Sequence, residues 1–274
     1  MRKRATLTGL WLLLAGAFCA LAADAGPKLT ATGTLQPEAV ANVYARVPGT
    51  IASLGADPRA PRKLIDYGSH VEAGTVLAHL ERDLYAARVE RERAACQGAE
   101  AELQRATVLL QHAQQQQQNP PGIDAQTRRA DAEAGVKVAE AGLTRSRAAL
   151  KEAEIDLEAT AIRSPIAGVV ISCHASRGEA VGPTPGTPSL FLIGAKKLQV
   201  WVTVYEADIR RVRPQQTVRF TVDAYPGTVF GGQVQQIRPN ATVTQNAVAY
   251  TVVVDVASAT DGLLPYLTAQ VTFE

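Results

Sequence analysis

The sequence predicts a mixed α and β, elongated protein: a β-rich domain split by an antiparallel coiled-coil hairpin and followed by a small β-barrel. Three observations carry this. A polar, alanine-rich stretch over residues 81–160 repeats apolar residues every seven positions on both sides of one proline break. The β-rich segments before and after it show the same order of turn glycines and β-branched runs. Residues 196–274 alternate apolar and polar side chains over several short runs.

In chain order, Met1-Arg2-Lys3-Arg4 is a positively charged start, Leu7 to Ala22 is apolar, and Ala20-Leu21-Ala22 matches an A-x-A cleavage site. Residues 1–25 therefore read as a signal peptide or an N-terminal membrane anchor, and both remain open. Either way the chain is exported, across a bacterial inner membrane. Phe18 stands before Cys19 where a lipoprotein would carry a small residue, which disfavours lipidation. No later apolar run approaches the ~18 residues a spanning helix needs, so the body is expected to be soluble. The net charge of +2 gives no reason to expect a nucleic-acid partner. Aromatics make up only 5 %, which suits a long thin helical element better than one large core.

Residues 26–80 form a first β-rich half with an N-terminal strand. Val43–Val47 and Thr50–Leu54 read as strands around the Pro48-Gly49 turn, and Pro58–Lys63 reads as a loop. Gly68 and Gly74 bracket a turn, and Val76–Leu80 alternates like a half-buried strand.

The hairpin follows. Val89, Cys96, Leu103 and Leu110 recur every seven residues, with Ala99, Ala106 and Ala113 three places after the last three. After the break Val136, Leu143, Leu150 and Leu157 repeat the spacing, joined by Ala139, Ser146, Ala153 and Thr160. This is the narrow seam of a two-helix coiled coil, not the wider apolar face of a globular helix. Asn119-Pro120-Pro121-Gly122 separates the helices, because proline cannot continue a helix and disfavours it in the residue before. Arms of roughly 37 residues reach about 55 Å at 1.5 Å per residue. Gln114–Gln118 carries no apolar seam residue, so the tip presents amides.

Residues 161–195 return to the first pattern. Ile162–Ile171, Gly178–Gly182 and Ser189–Ile193 again place a proline–glycine turn before a β-branched strand and a Gly-x-x-Val turn after it. Such a repeat implies that the two halves complete one domain, since neither could bury a core alone. From residue 196 on, Leu198–Val204, Val218–Val222, Val229–Ile237, Tyr250–Val256 and Thr268–Phe273 read as barrel strands. Tyr205–Val212 reads as a short helix and Gly231-Gly232 as a turn or bulge.

The phrases ARVPGTIASL, DYGSHVEAGTVLAHLE and ATAIRSPIAGVVI with RGEAVG resemble the two halves of a lipoyl/biotinyl-type domain. Splitting such a domain with a coiled-coil hairpin resembles the HlyD-type membrane fusion proteins, the periplasmic adaptors of tripartite exporters. VYEADIRRVRPQQTVRFTVDAYPG and GLLPYLTAQVTFE are similar to that family's barrel domain. The resemblance, nearest to MacA- and DevB-like adaptors, implies a lipoyl-like β-sandwich, split by the hairpin and followed by the barrel. It implies an inner-membrane ABC or RND transporter and a TolC-like outer-membrane channel as partners, with self-association commonly as a hexamer. It implies a protein of the periplasm, associated with or anchored to the inner membrane. Many members continue into a membrane-proximal domain; here that domain is expected to be absent or reduced to strands around Leu29–Thr34.

The resemblance also directs attention to the hairpin tip. Channel contact in related adaptors uses an Arg, a Leu four residues on and a Ser seven further. Arg105 and Leu109 match, while Gln116 occupies the third place. Asn119, Pro120, Pro121, Gly122 and Arg128 complete the expected contact region.

Other chemistry is not indicated. A lipoyl carrier needs a lysine between the halves, but Glu81-Arg82-Asp83 stands there and the nearest following lysine, Lys137, lies within the hairpin. His70, His79, His112 and His174 share no metal-ligand spacing, so no metal or cofactor is expected. The Gly182–Pro188 loop lacks the N–H donors of a phosphate cradle because prolines interrupt it. No nucleophile, base or phosphate motif is present, so the chain is not expected to be an enzyme. Cys96 and Cys173 read as small buried apolar residues and not as a disulfide. The reading from a different class is an exported coiled-coil protein that binds envelope components without a transporter.

Overall fold

The computed structural model describes residues 28–116, 123–183, 186, 188–244, 247–257 and 262–274. Strands β1 (Thr30–Pro37), β2 (Val40–Val43), β3 (Gly49–Leu54), β4 (Ala56–Asp57), β5 (Ala60–Leu64), β6 (His70–Val71) and β7 (Val76–Leu80) come first. Helices α1 (Asp83–Gln116) and α2 (Ile123–Ala159) follow. Then come β8 (Ala161–Arg163), β9 (Gly168–Cys173), β10 (Ala180–Val181), β11 (Phe191–Ala195) and β12 (Leu198–Tyr205). The chain finishes with α3 (Glu206–Ile209), β13 (Thr217–Val222), β14 (Val229–Thr244), β15 (Ala247–Val256) and β16 (Thr268–Phe273). It divides into two units, one holding residues 34–201 and the other most of the barrel.

The first unit contains two four-stranded sheets, β10-β3-β7-β8 and β2-β11-β9-β6. Each takes two strands from before the helices and two from after, so each half supplies what the other lacks. The repeat is visible in the hydrogen bonds. Gly68 N donates to Val170 O (2.8 Å) while Val170 N donates to Ser69 O (2.9 Å). In the same pattern Gly178 N donates to Ile51 O (2.8 Å) and Ile51 N donates to Glu179 O (2.9 Å). Gly68 and Gly178 both have positive φ, at 76° and 84°, a conformation glycine adopts without steric cost. Between the sheets, Ile51, Ile65, Leu77, Leu80, Phe191 and Ile193 form a continuous core.

In the second unit the strand order β1-β12-β15-β14-β13-β16 closes a barrel. Its alternation is plain in β13, where Val218, Phe220 and Val222 are buried between exposed neighbours. Phe220 stacks on Phe230 at a centroid distance of 5.3 Å.

Several sequence expectations change. The strand expected around Leu29–Thr34, read as part of the first half or a remnant of a further domain, is barrel strand β1, whose neighbour β12 lies far along the chain. Val43–Val47 is a strand only at its first residue, because β11 pairs with Val40–Val43; Ala45 and Val47 are buried without a ladder. Gly231 and Gly232 stay in register opposite Arg219 and Val218, and the irregularities of β14 fall later, after Val234 and Ile237. The helix expected over Tyr205–Val212 is confined to Glu206–Ile209.

Pro58–Lys63, expected as a loop, lies in a β-hairpin formed by β4 and β5. The buried Asp57 accepts a hydrogen bond from Arg59 N (2.9 Å) and holds the turn. The Ser69 side-chain hydrogen bond, then the Arg59 backbone bond, hold its carboxyl below the ordinary value of 3.8. A lowered folded-state value stabilises the fold fully above the unfolded value. That contribution is lost as pH falls below 3.8 through the folded value. Thermal denaturation from pH 6 to pH 2 should therefore show a steeper acid loss in the natural protein than in Asp57→Asn; parallel curves would refute the assignment.

Candidate functional site

The helical hairpin carries Arg105, Leu109, Gln116 and Arg128 of the expected contact residues on its two helices. Its helices have 34 and 37 residues, about 51 and 55 Å at 1.5 Å per residue. Of the seam residues, Val89, Cys96 and Leu143 are buried, and Leu103, Leu110, Val136, Leu150 and Leu157 are half-buried. Ala99, Ala106, Ala113, Ala139 and Ser146 are half-buried between them, and Ala153 and Thr160 are buried. The two helices thus meet along both sets of heptad positions.

Charged pairs beside the seam set the register. With Val89 and Val136 at heptad position a, Arg88 and Asp156 both fall at g and pair at 3.0 Å. Glu100 and Arg147 both fall at e and pair at 3.0 Å. Like-lettered pairing is what antiparallel helices require, and flanking charges select register. Each pair is exposed and stabilises little by itself.

That register puts Leu109 level with the Gly135–Val138 turn of α2. Arg105 and Leu109, at c and g, share one flank of α1; both are exposed, Leu109 by 57 %. Gly135, at g on the facing flank, has nothing within 4 Å of where a side chain would start. Val138 at c is 72 % exposed. These four residues therefore border one face of the hairpin near its tip, an exposed apolar pair beside a cation. Sequence reasoning missed Val138 because it followed only the seam; an apolar residue at an outer heptad position was the available signal.

Arg128 is exposed at the start of α2. Gln116 ends α1. Asn119, Pro120, Pro121 and Gly122 lie outside the described residues.

The remaining candidates are dispersed. Lys137 is exposed on α2. His174 Nδ1 lies 3.1 Å from Ser189 O. His70 is half-buried beside β9, and burial first, then Arg59 and Lys196, lower its pKa below 6.5. Cys96 and Cys173 are free thiols, and burial pushes that of Cys173 up. Among the described residues no group of three or more His, Cys, Asp or Glu could hold a metal. No described helix is long and apolar enough to cross a membrane.

Residues 199–274 match the CusB-like, beta-barrel domain family. The chain is 28 % identical over 284 residues to the pyoverdine export membrane fusion protein PvdR of Pseudomonas aeruginosa, covering 90 % of this chain and 69 % of that one. It is also 28 % identical to the macrolide export protein MacA of Escherichia coli O157:H7, over 90 % of this chain and 68 % of the relative. The crystal structure of MacA from Actinobacillus actinomycetemcomitans superposes with a TM-score of 0.77 at 23 % identity, over 90 % of this chain and 78 % of that one. The fold, with its hairpin between β domains, is shared with that structure.

Proposed function

We propose that this chain, a relative of the membrane fusion proteins of export systems, is a periplasmic adaptor. It links an inner-membrane ABC or RND transporter to a TolC-like outer-membrane channel and works as an oligomer. In this reading residues 1–25 direct export or anchor the chain at the inner membrane. The work is structural and involves no catalytic step.

The observation that carries this reading is a second apolar repeat on the hairpin. Ala87, Ala94, Ala101 and Val108 occupy position f along α1, and Ala134, Ala141, Ala148 and Ile155 occupy f along α2. All eight are exposed, on the side of each helix opposite the seam. Alanine suits any exposed helix position, but Val108 and Ile155, 49 % and 46 % exposed, stand where polar residues are the rule. Outer stripes on both helices suit neighbours packed side by side, α1 of one copy against α2 of the next, a heterologous contact that closes into a ring. A ring of hairpins encloses a conduit, and the face bearing Arg105, Leu109 and Val138 is then presented near its open end. Gln116, Asn119, Pro120, Pro121, Gly122 and Arg128 complete the proposed channel contact.

Two measurements test this. Crosslinking of the full chain in native envelopes, followed by mass spectrometry, should recover an inner-membrane ABC or RND subunit together with a TolC-like channel. A monomer free of both would instead favour an envelope-binding role without a transporter. Leu109→Glu and Gln116→Glu should each abolish export while leaving the melting temperature unchanged. Normal export in both variants would sink the tip assignment.

A further inference from the structure

The hairpin of β4 and β5 has no counterpart in the internal repeat. Ile51 and Val170 hold equivalent places, as do Gly68 and Gly178, by their matching hydrogen bonds. Residues 52–67 connect Ile51 to Gly68, whereas only residues 171–177 connect Val170 to Gly178. The extra length in the first half forms the hairpin.

A two-stranded hairpin is marginal in water by itself, so its order needs a cause. Here the cause is at its base. Ile65 is wholly buried, Ile65 N donates to Gly55 O (2.8 Å), Gly55 N donates to Leu77 O (2.8 Å), and Asp57 is buried in the turn. Everything above the base faces water: all five residues of β5 are exposed. Among them and at the turn stand Arg59, Arg62 and Lys63, none of which forms an ion pair among the described residues. Leu64 and Tyr67 beside them are 57 % and 55 % exposed. Lys196 adds to the positive charge here, since it and Arg59 both act to lower the pKa of His70, with the Asp57 carboxylate acting the other way. Pro58 and Pro61 stiffen the turn.

We propose that this basic β-hairpin is a docking surface for a carboxylate-rich face of a folded partner protein, separate from the helical tip. Arg59, Arg62 and Lys63 outnumber the carboxylates of the segment, the buried Asp57 near Lys63 and the exposed Asp66, so the surface is net positive, which is the condition for complementary steering of an acidic partner. Its backbone is fixed before binding, so association loses little ordering entropy. A lipid surface suits it less: two half-covered side chains offer too little apolar area for interfacial insertion. The surface also leaves the helical hairpin unobstructed. Strand β3 runs away from the helix junction, from Ile51 opposite Leu80 to Leu54 opposite Ala78, and carries the hairpin to the far end of the sheet.

The test uses the full chain in native envelopes with a photo-crosslinking residue in place of the exposed Ala60. The expected product is an adduct to a protein peptide rich in Asp and Glu. Its yield should fall roughly tenfold in Arg59→Glu/Arg62→Glu/Lys63→Glu, as expected for reversal of steering charges. The melting temperature should fall by only a few degrees, because none of the three is buried and only Lys63 acts on the Asp57 carboxylate. A parallel probe at Leu109 should be unaffected, which separates failure here from failure of the channel contact. Adduct yield indifferent to charge reversal, or no protein adduct, would overturn the proposal. Charge-dependent co-sedimentation of the purified protein with phosphatidylethanolamine–phosphatidylglycerol vesicles would also overturn it, assigning the patch to a lipid surface.

Discussion

Replacing Phe191 with alanine should destabilise the split domain by about 3–5 kcal/mol, the range for removing a buried aromatic side chain. Phe191 is wholly buried in β11, which pairs with β2 from before the helices and β9 from after them. Its ring therefore packs where the two halves meet, and no other aromatic residue occupies that core cluster as a wholly buried side chain. A loss of that size is a large share of the ~5–15 kcal/mol that holds a domain folded. Urea denaturation followed by tryptophan and far-ultraviolet signals would measure it. A cost under about 1 kcal/mol would mean that the cavity collapses and that the halves are joined elsewhere.

A valine at Gly168 should cost about 3 kcal/mol or more, for the opposite reason of excess volume. A Cβ there would lie 2.1 Å from Gly194 O and 2.8 Å from Gly194 C. Both are backbone atoms of β11, so no side chain can move aside; strand β9 would have to leave its partner. Gly142 on α2 is the control, with nothing within 4 Å of its Cβ position. Gly142→Ala should stabilise the isolated protein by up to about 1 kcal/mol through helix propensity. Equal melting temperatures for Gly168→Val and the natural protein would contradict the close approach of β9 and β11.

The contrast between these glycines shows what a sequence can express. In the sequence Gly168 reads as the glycine of a proline–glycine turn and Gly142 as a single glycine in a helical run. Only the position of Gly194 across the sheet makes one indispensable. The same division runs through the molecule. The hairpin seam was legible because its burial repeats every seven residues and depends on neighbours within the same two helices. Val89 and Leu143 are buried where that periodicity expects them. Strands β13 and β16 were legible because one face of each meets the barrel interior, so apolar and polar residues alternate locally.

Where alternation and pairing separate, the reading failed. Tyr44 to Val47 alternates because Ala45 and Val47 are buried, yet the ladder stops at Val43. Strand β5 pairs with β4 but has no buried face, so no alternation announced it. The candidate site divides in the same way. Arg105 and Leu109 were singled out by the resemblance to related adaptors, and helical spacing then puts both on one flank of α1. Val138 joined them only through the register set by Arg88–Asp156 and Glu100–Arg147.

By itself, then, the sequence determined the coiled-coil seam, the repeat of the two halves and the existence of a β-barrel, because each rests on a periodicity between near neighbours. The tertiary structure decided that β1 belongs to the barrel, that Pro58–Lys63 forms a hairpin, and which glycines are irreplaceable. Those depend on which strands meet across the fold, a matter of long-range pairing that leaves no periodic trace in either partner.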